Sequence, residues 1–391
     1  MAKSKIGAFI HHIETPGVLD QMAEYDPAVL KITGNMDQIR KAASMLPLTT
    51  IIGRAPNGQT SPDLEGYKDG LGISDPHHAA IVWTQENLND MLSAPQVRWE
   101  SFNEQNSHHV EYAEFEKWRI IEMSKYGLHA CVGNFGVGWP DLNVWPIYSG
   151  MLSEANRHGS CLGLHEYFAM YPWIWYGQNQ SEQILSGNIQ HFPINYADGW
   201  TTFRYRKVAR DVLMRNGWNN IPIVLTEMGA DWVYPEMVRY LNDGEVVGPY
   251  LTAERAWRRA HISDSVEVAY LRMLQWMDVQ MLRDPYLIGG TVFTLGTVDP
   301  GNWRNYNIAG TMWNKLLAYV REPRLDISYM QTEWDEGVFL RSRPDKNSDI
   351  LAIIFPKEYV LLLHQEGRYF KVREQVAGRE GYIEQIYLRG S

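Results

Sequence analysis

Two carboxylates stand where apolar runs stop. In "VRWESFNEQN" (97–106) the run ends in Asn103 and Glu104, and in "IPIVLTEMG" (221–229) it ends in Glu227 followed by Met228 and Gly229. A carboxyl group at a strand end can transfer a proton or attack an electrophilic carbon. Two of them facing one substrate suit the cleavage of a glycosidic bond. One, kept protonated by its surroundings, donates to the leaving oxygen; the other attacks the anomeric carbon from the opposite face. A separation of about 5–5.5 Å gives retention at that carbon, and about 6.5–9.5 Å leaves room for a water and gives inversion.

Such a pair needs a frame that brings distant strand ends together. Eight short apolar runs read as strands: 5–12, 28–34, 49–56, 97–103, 129–138, 161–168, 221–229 and 288–296. Helical spacing fills most of the gaps, in "MDQIRKAASML", "YAEFEKWRIIEMSKYG", "YSGMLSEANRHG", "TFRYRKVARDVLMRNG" and "SDSVEVAYLRMLQWMDVQML". Strand–helix alternation repeated eight times predicts an α/β chain folded as a (β/α)8 TIM barrel over residues 1–321, whose site lies at the C-terminal ends of the strands. A doubly wound sheet would carry a Gly-rich phosphate loop after its first strand, and none follows "KIGAFIHH".

In that frame the informative residues are the last of each run: His11 and His12, Arg54, Asn103 and Glu104, Asn134, His165 with Glu166 and Tyr167, Glu227, and Thr294 with the loop carrying Trp303. Lys31 lies inside the second run. Strands four and seven stand across the barrel mouth, so Glu104 and Glu227 can share a substrate. Glu100, inside the fourth strand, needs a cation or donors if it points inward, and Arg54 is its expected partner. Trp139, Trp173, Trp175, Trp232 and Tyr234 lie in aromatic loops on the same side and are candidate sugar platforms.

Composition narrows the chemistry. The 391 residues carry a net charge of -10, which disfavours a nucleic-acid partner, and include 15 Trp and 22 Tyr. No window is apolar enough for a membrane span. The first residues lack a signal-peptide pattern, which leaves a cytoplasmic protein or one whose leader has been removed. Cys131 and Cys161 fall in apolar runs and read as buried thiols, with a bridge between neighbouring strands open. Adjacent histidines such as His77–His78 point to opposite faces of a strand and carry no zinc-binding helix motif, so neither a metal nor another cofactor is expected. A serine hydrolase lacks its G-x-S-x-G elbow, and an aldolase reading rests on Lys31 alone.

The "FNEQN" and "LTEMG" stretches resemble the paired signatures of glycoside hydrolase clan A, the TIM-barrel retaining glycosidases that include the cellulases. The resemblance spans roughly the first 320 residues. It implies Glu104 as acid/base and Glu227 as nucleophile, with no cofactor. It also implies Asn103 on the sugar 2-hydroxyl, and His165 or Tyr167 orienting Glu227. The clan's aromatic after strand eight falls to Phe293 or Trp303, and its arginine near the nucleophile to Arg54 or, in kind, Lys31. The implied substrate-binding set is Asn103, His165, Tyr167, Arg54, His11, Trp139, Trp173, Trp232 and Trp303.

Beyond Pro323 the pattern turns to short alternating strands. Residues 322–333 read as a linker, and 334–391 resemble a bacterial SH3-like β domain through Leu340-Arg341-Ser342, Phe370-Lys371-Val372 and Gly381-Tyr382-Ile383. That resemblance implies a cell-wall or polysaccharide ligand, or a purely structural appendage. Two alternatives to a polysaccharide-cleaving enzyme stay open at this point. One is a cell-wall glycan hydrolase targeted by the C-terminal domain; the other is a non-catalytic carbohydrate-binding protein on a decayed barrel.

Overall fold

The structure, a computed structural model, describes residues 4–11, 16–56, 75–105, 109–168, 202–231, 265–282, 284–296, 303–321, 329–332, 337–354, 359–374 and 379–390. Eight parallel strands close into a barrel in chain order: β1 (Ile6–His11), β2 (Val29–Thr33), β3 (Thr50–Arg54), β4 (Arg98–Trp99), β5 (His129–Phe135), β6 (Cys161–Phe168), β7 (Ile223–Ala230) and β8 (Leu287–Val292). β8 pairs back to β1 through Ile6↔Gly290 and Ala8↔Val292. Strands covered by helices outside and packed side chains inside are buried on both faces. β2 and β7 are accordingly buried at every position. At the base, the backbone of Gly7 lies so close to the Val29 carbonyl that no side chain fits.

A helix follows each strand: α1 (Val18–Ala23), α2 (Met36–Met45), α3 (Pro76–Leu92), α4 (His109–Ser124), α5 (Ser149–His158), α6 (Arg204–Lys207), α7 (Val266–Met281) and α8 (Thr311–Arg321). The sequence reading had marked none at α1, α3 or α8. The start of α3 is written in "SDPHH": Asp75 accepts from the His78 amide at 3.0 Å and Pro76 occupies the first turn. α6 continues as a π-helical stretch, Val208–Leu213, before stopping at Gly217.

Several strand expectations need correction: β8, expected over 288–296, ends at Val292, and β3, expected over 49–56, spans Thr50–Arg54. β4 was expected over 97–103, but its ladder holds only Arg98 and Trp99. Beyond Glu100, whose amide still donates to Gly53 O, the chain leaves the sheet and reaches Glu104 in a left-handed conformation, φ 53. β5 stops at Phe135 rather than 138 because Gly133 (φ 84) and Asn134 (φ 45) bend it. Cys131 and Cys161 lie opposite each other on β5 and β6 as buried free thiols.

The C-terminal part is a separate antiparallel sheet of seven strands: β9 (Tyr329–Thr332), β10 (Val338–Arg341), β11 (Ile350–Ile354), β12 (Tyr359–Glu366), β13 (Tyr369–Glu374), β14 (Glu380–Glu384) and β15 (Leu388–Gly390). β9 falls inside the stretch expected to be linker, yet it pairs with both β12 and β15. This sheet has its own apolar cluster around Leu340, Val360, Val372 and Ile383. Among the described residues no helix is long and apolar enough to cross a membrane.

Candidate active site

The mouth of the barrel brings Glu104, His165 and Glu227 together: one donor-type atom from each lies within 4.8 Å of the other two. Glu227 leaves β7 in an almost fully buried position. Tyr167, two residues along β6 from His165, donates its hydroxyl to Glu227 Oε2 at 2.9 Å. The Lys31 ammonium lies 3.3 Å from Oε1. Burial and the neighbouring Glu104 would raise the Glu227 carboxyl, but the facing His165 Nδ1–H and the charges of Lys31 and Arg54 outweigh them and hold the group below the usual carboxylate range.

Glu104 is the open partner, its side chain 43% exposed. The His165 Nδ1–H donates to Glu104 Oε1 at 2.8 Å, and this hydrogen bond is the main cause of its lowered pKa. The same nitrogen is 3.5 Å from Glu227 Oε2. The tautomer follows from the residue beneath. The Asn134 amide nitrogen donates to His165 Nε2 and to Glu100 Oε1, each at 3.0 Å, while its oxygen accepts from Arg54 at 3.1 Å. With Nε2 accepting, the ring proton sits on Nδ1, facing the carboxylates.

Below the pair runs a buried charge network. Glu100, expected to pair with Arg54, accepts from its guanidinium at 2.9 Å and also faces Lys31 at 3.2 Å. Arg54 donates in addition to Asn103 Oδ1 at 2.7 Å, which fixes that amide beside Glu104. Lys31 therefore bridges two carboxylates, Glu100 and Glu227, and its ammonium lies 4.4 Å from the centre of the Phe9 ring. The sequence marked Asn134 as a strand-end residue without giving it a role, and offered Lys31 only as an alternative to Arg54 near the nucleophile. The signal was present: a lone charge between Leu30 and Ile32, and an amide in the apolar run "ACVGNF".

An aromatic wall adjoins Glu227. Phe9, Tyr167 and Phe293 pack together with Tyr306 against them. Trp303 meets Phe293 edge-on at 5.4 Å and is 37% exposed. Both candidates for the aromatic after strand eight thus belong to one wall, Phe293 inside and Trp303 at the rim. His11 ends β1 beside it, 6.2 Å from Phe293 between ring centres. Trp139 stands apart on the loop after β5, 42% exposed. Trp173 and Trp232, with His12, Trp175 and Tyr234, lie outside the described residues. One polar pair escaped the sequence reading: Asp231, just past β7, accepts a hydrogen bond from Tyr306.

No family model matches this chain, and no curated protein matches its sequence. Solved structures resemble it in arrangement. A glucosidase from Croceicoccus marinus is 9% identical with a TM-score of 0.42, over 82% of this chain and 66% of that one. CJP38, a beta-1,3-glucanase and allergen of Cryptomeria japonica pollen, is 14% identical with a TM-score of 0.42, over 75% and 89%. A family 51 alpha-L-arabinofuranosidase from Bifidobacterium longum is 12% identical with a TM-score of 0.38, over 75% and 68%. This chain therefore spans about two thirds of the glucosidase and the arabinofuranosidase. At such identities side chains do not correspond one to one.

Proposed function

We propose that the chain is a retaining β-glycoside hydrolase with Glu227 as nucleophile and Glu104 as acid, then base. One observation carries this reading: an oxygen of Glu104 and an oxygen of Glu227 lie within 4.8 Å of each other at the barrel mouth. That proximity suits a nucleophile and an acid acting on one bond and is compatible with the roughly 5–5.5 Å between the carboxyl groups of retaining enzymes.

Their surroundings divide the labour. Glu227 keeps its charge because Lys31 and the Tyr167 hydroxyl stay with it, and an ionised carboxylate is what attack on the anomeric carbon requires. Glu104 is held low mainly by the His165 hydrogen bond, but unlike Glu227 it is partly open to water. A bound glycoside expels water from its exposed side, and loss of hydration favours the neutral acid. A proton taken up from solvent as the glycoside binds then settles on Glu104, because Glu227 is the better stabilised anion. Glu104 gives this proton to the leaving oxygen as Glu227 forms the covalent glycosyl ester. It then takes a proton from the water that cleaves the ester. Asn103, held by Arg54, is placed to contact the sugar hydroxyl beside the reacting carbon, and Trp139, Trp303 and His11 supply surfaces for sugar rings further out.

The substrate is a polysaccharide or oligosaccharide. The C-terminal sheet belongs to the proposal as an SH3-like unit that brings the barrel to a glycan surface. The test uses aryl β-glycosides with an activated leaving group. Glu227→Ala is expected to abolish turnover. Glu104→Ala is expected to release one burst of phenol and then slow by about 10²–10⁴-fold, with partial rescue by azide. Proton NMR of the first sugar product should show the β anomer. An α anomer appearing first excludes retention, and full activity in both variants excludes the assignment.

A further inference from the structure

Glu166 is a buried carboxyl group with no part in this mechanism, although it stands between two residues that have one. Alternate side chains of a strand face opposite ways. With His165 and Tyr167 turned to the carboxylate pair, Glu166 faces the helical layer. There its two oxygens each accept one backbone amide at 2.6 Å, Phe203 N on Oε2 and Tyr205 N on Oε1. These amides open α6. Phe203 holds the cap position in a left-handed conformation, φ 58, and no side chain of its own caps the helix. The strand thus provides what Ser, Asp or Asn provides at other helix starts.

The need for such a grip lies in the ladder of β6. Its pairing with β5 ends at Phe135↔Leu164, so His165, Glu166 and Tyr167 have a strand partner on the β7 side alone. On that side the register slips between Leu164 and His165, where Leu164 faces Leu225 but His165 faces Glu227. The functional end of β6 is therefore out of step with its root and laddered on one edge.

We propose that Glu166 is a positioning residue: by gripping the amides of Phe203 and Tyr205 it fixes the end of β6, and so keeps His165 against Glu104 and Tyr167 against Glu227. The proposal rests on the glycosidase reading of the site. The same grip holds Arg204, whose guanidinium donates to Pro140 O at 2.6 Å and ties down the loop that carries Trp139. Burial pushes the Glu166 carboxyl up to about 8, while the two amides, Arg204 and Arg206 pull it down. The remaining polar group close by on α6, the Tyr205 hydroxyl, is turned to Asp284, as is Arg206.

Glu166→Gln in the full chain keeps the shape and one acceptor but sets an NH2 group against the second amide. The expected result is a fall in kcat of about 10–100-fold, the scale of a small misplacement of reacting groups. The alkaline limb of the kcat/KM profile, set by Glu104 as the acid, should also move to higher pH, because Glu104 loses the His165 hydrogen bond. The other charges near Glu104, namely Lys31, Arg54 and Glu227, are unchanged in this variant. A lower melting temperature with kcat and the alkaline limb intact would assign Glu166 a structural role and overturn the proposal. The nitrogen-15 signals of the His165 ring report the same geometry without any glycoside. A Glu104-bonded Nδ1–H present in the parent and lost in Glu166→Gln supports positioning; one that persists overturns it. If the parent cleaves no glycoside, the enzymatic reading falls and the ring signals still decide this point. Glu166→Asp, which keeps both oxygens but shortens their reach, takes the same measurements if the Gln variant does not fold, with a smaller shift in the same direction expected.

Discussion

At the scale of single residues, Lys31 makes the sharpest commitment. It is fully buried, and its ammonium bridges Glu100 and Glu227 at 3.2 and 3.3 Å. Removing it leaves two buried carboxylates short of a cation, a loss of up to about 3–5 kcal/mol. Lys31→Met should therefore lower stability by that order in denaturant melts. It should also change the pH dependence with a defined sign. The Glu227 pKa is held low in the folded chain, so its contribution to stability is present above the ordinary carboxylate range and is lost as pH falls through the lowered value. Without Lys31 that loss begins at a higher pH, and the acid limb of kcat/KM moves up with it. Parallel melts and rate profiles from pH 4 to 7 would show both; an unmoved acid limb would mean that His165 and Arg54 alone set the Glu227 charge. The sequence set Lys31 inside an apolar strand, where a charge cannot stay bare, but named no partner for it. Which strand ends meet across the mouth is a property of the closed barrel. The paired carboxylates were legible for the opposite reason: each ends its own strand, and alternation around a barrel places the fourth and seventh ends face to face.

At the scale of elements, the strand that presents Glu104 is the shortest of the eight, and it is held by side chains more than by its ladder. Arg119 of α4 is fully buried and donates to Trp99 O and to Cys131 O, both at 3.0 Å. It pairs with Glu116 of the same helix at 2.7 Å, and Glu116 in turn takes the Ser101 hydroxyl. One helix face thus supplies donors where β4 and β5 lack them. Arg119→Met strands Glu116 and two carbonyls in the interior and should cost about 3–5 kcal/mol, read as a shift of the urea midpoint at unchanged slope. A shift well below this would show that water or neighbouring amides replace the guanidinium. The periodicity of α4 was plain in "YAEFEKWRIIEMS", but nothing in it marks Glu116 and Arg119 as buried, since three-residue spacing of opposite charges is usually a surface device. The overlong β4 has the same origin. "VRWESFN" alternates like a strand, and only the side chains that leave the ladder, Glu100 toward Lys31 and Arg54, and Ser101 toward Glu116, show where it stops.

At the scale of the molecule, the barrel and the C-terminal sheet have hydrophobic clusters that share no residue. The barrel also closes on itself without the sheet. Asp278 of α7 accepts from Ser4 Oγ and the Lys5 amide, both at 2.7 Å, and from the Tyr319 hydroxyl of α8 at 2.9 Å, which fastens the first strand to the last two helices. The sequence drew the division near Pro323 from the change of pattern, but placed it too late by β9, four residues too short and polar to stand out from a linker. The sheet takes up that strand between β12 and β15, so a cut that respects the architecture comes after α8 and before Tyr329. A chain ending at Arg321 is expected to melt cooperatively and to keep the kcat and KM of the full chain on small aryl glycosides, since the described partners of Glu104 and Glu227 all precede the cut. If the sheet serves to hold glycan, the shortened chain should stay in the supernatant when spun with insoluble polysaccharide or peptidoglycan, while the full chain pellets. Equal partition of the two would make the sheet a structural appendage. A shortened chain that unfolds would mean that the barrel depends on the sheet, despite its separate core and its closure through Asp278.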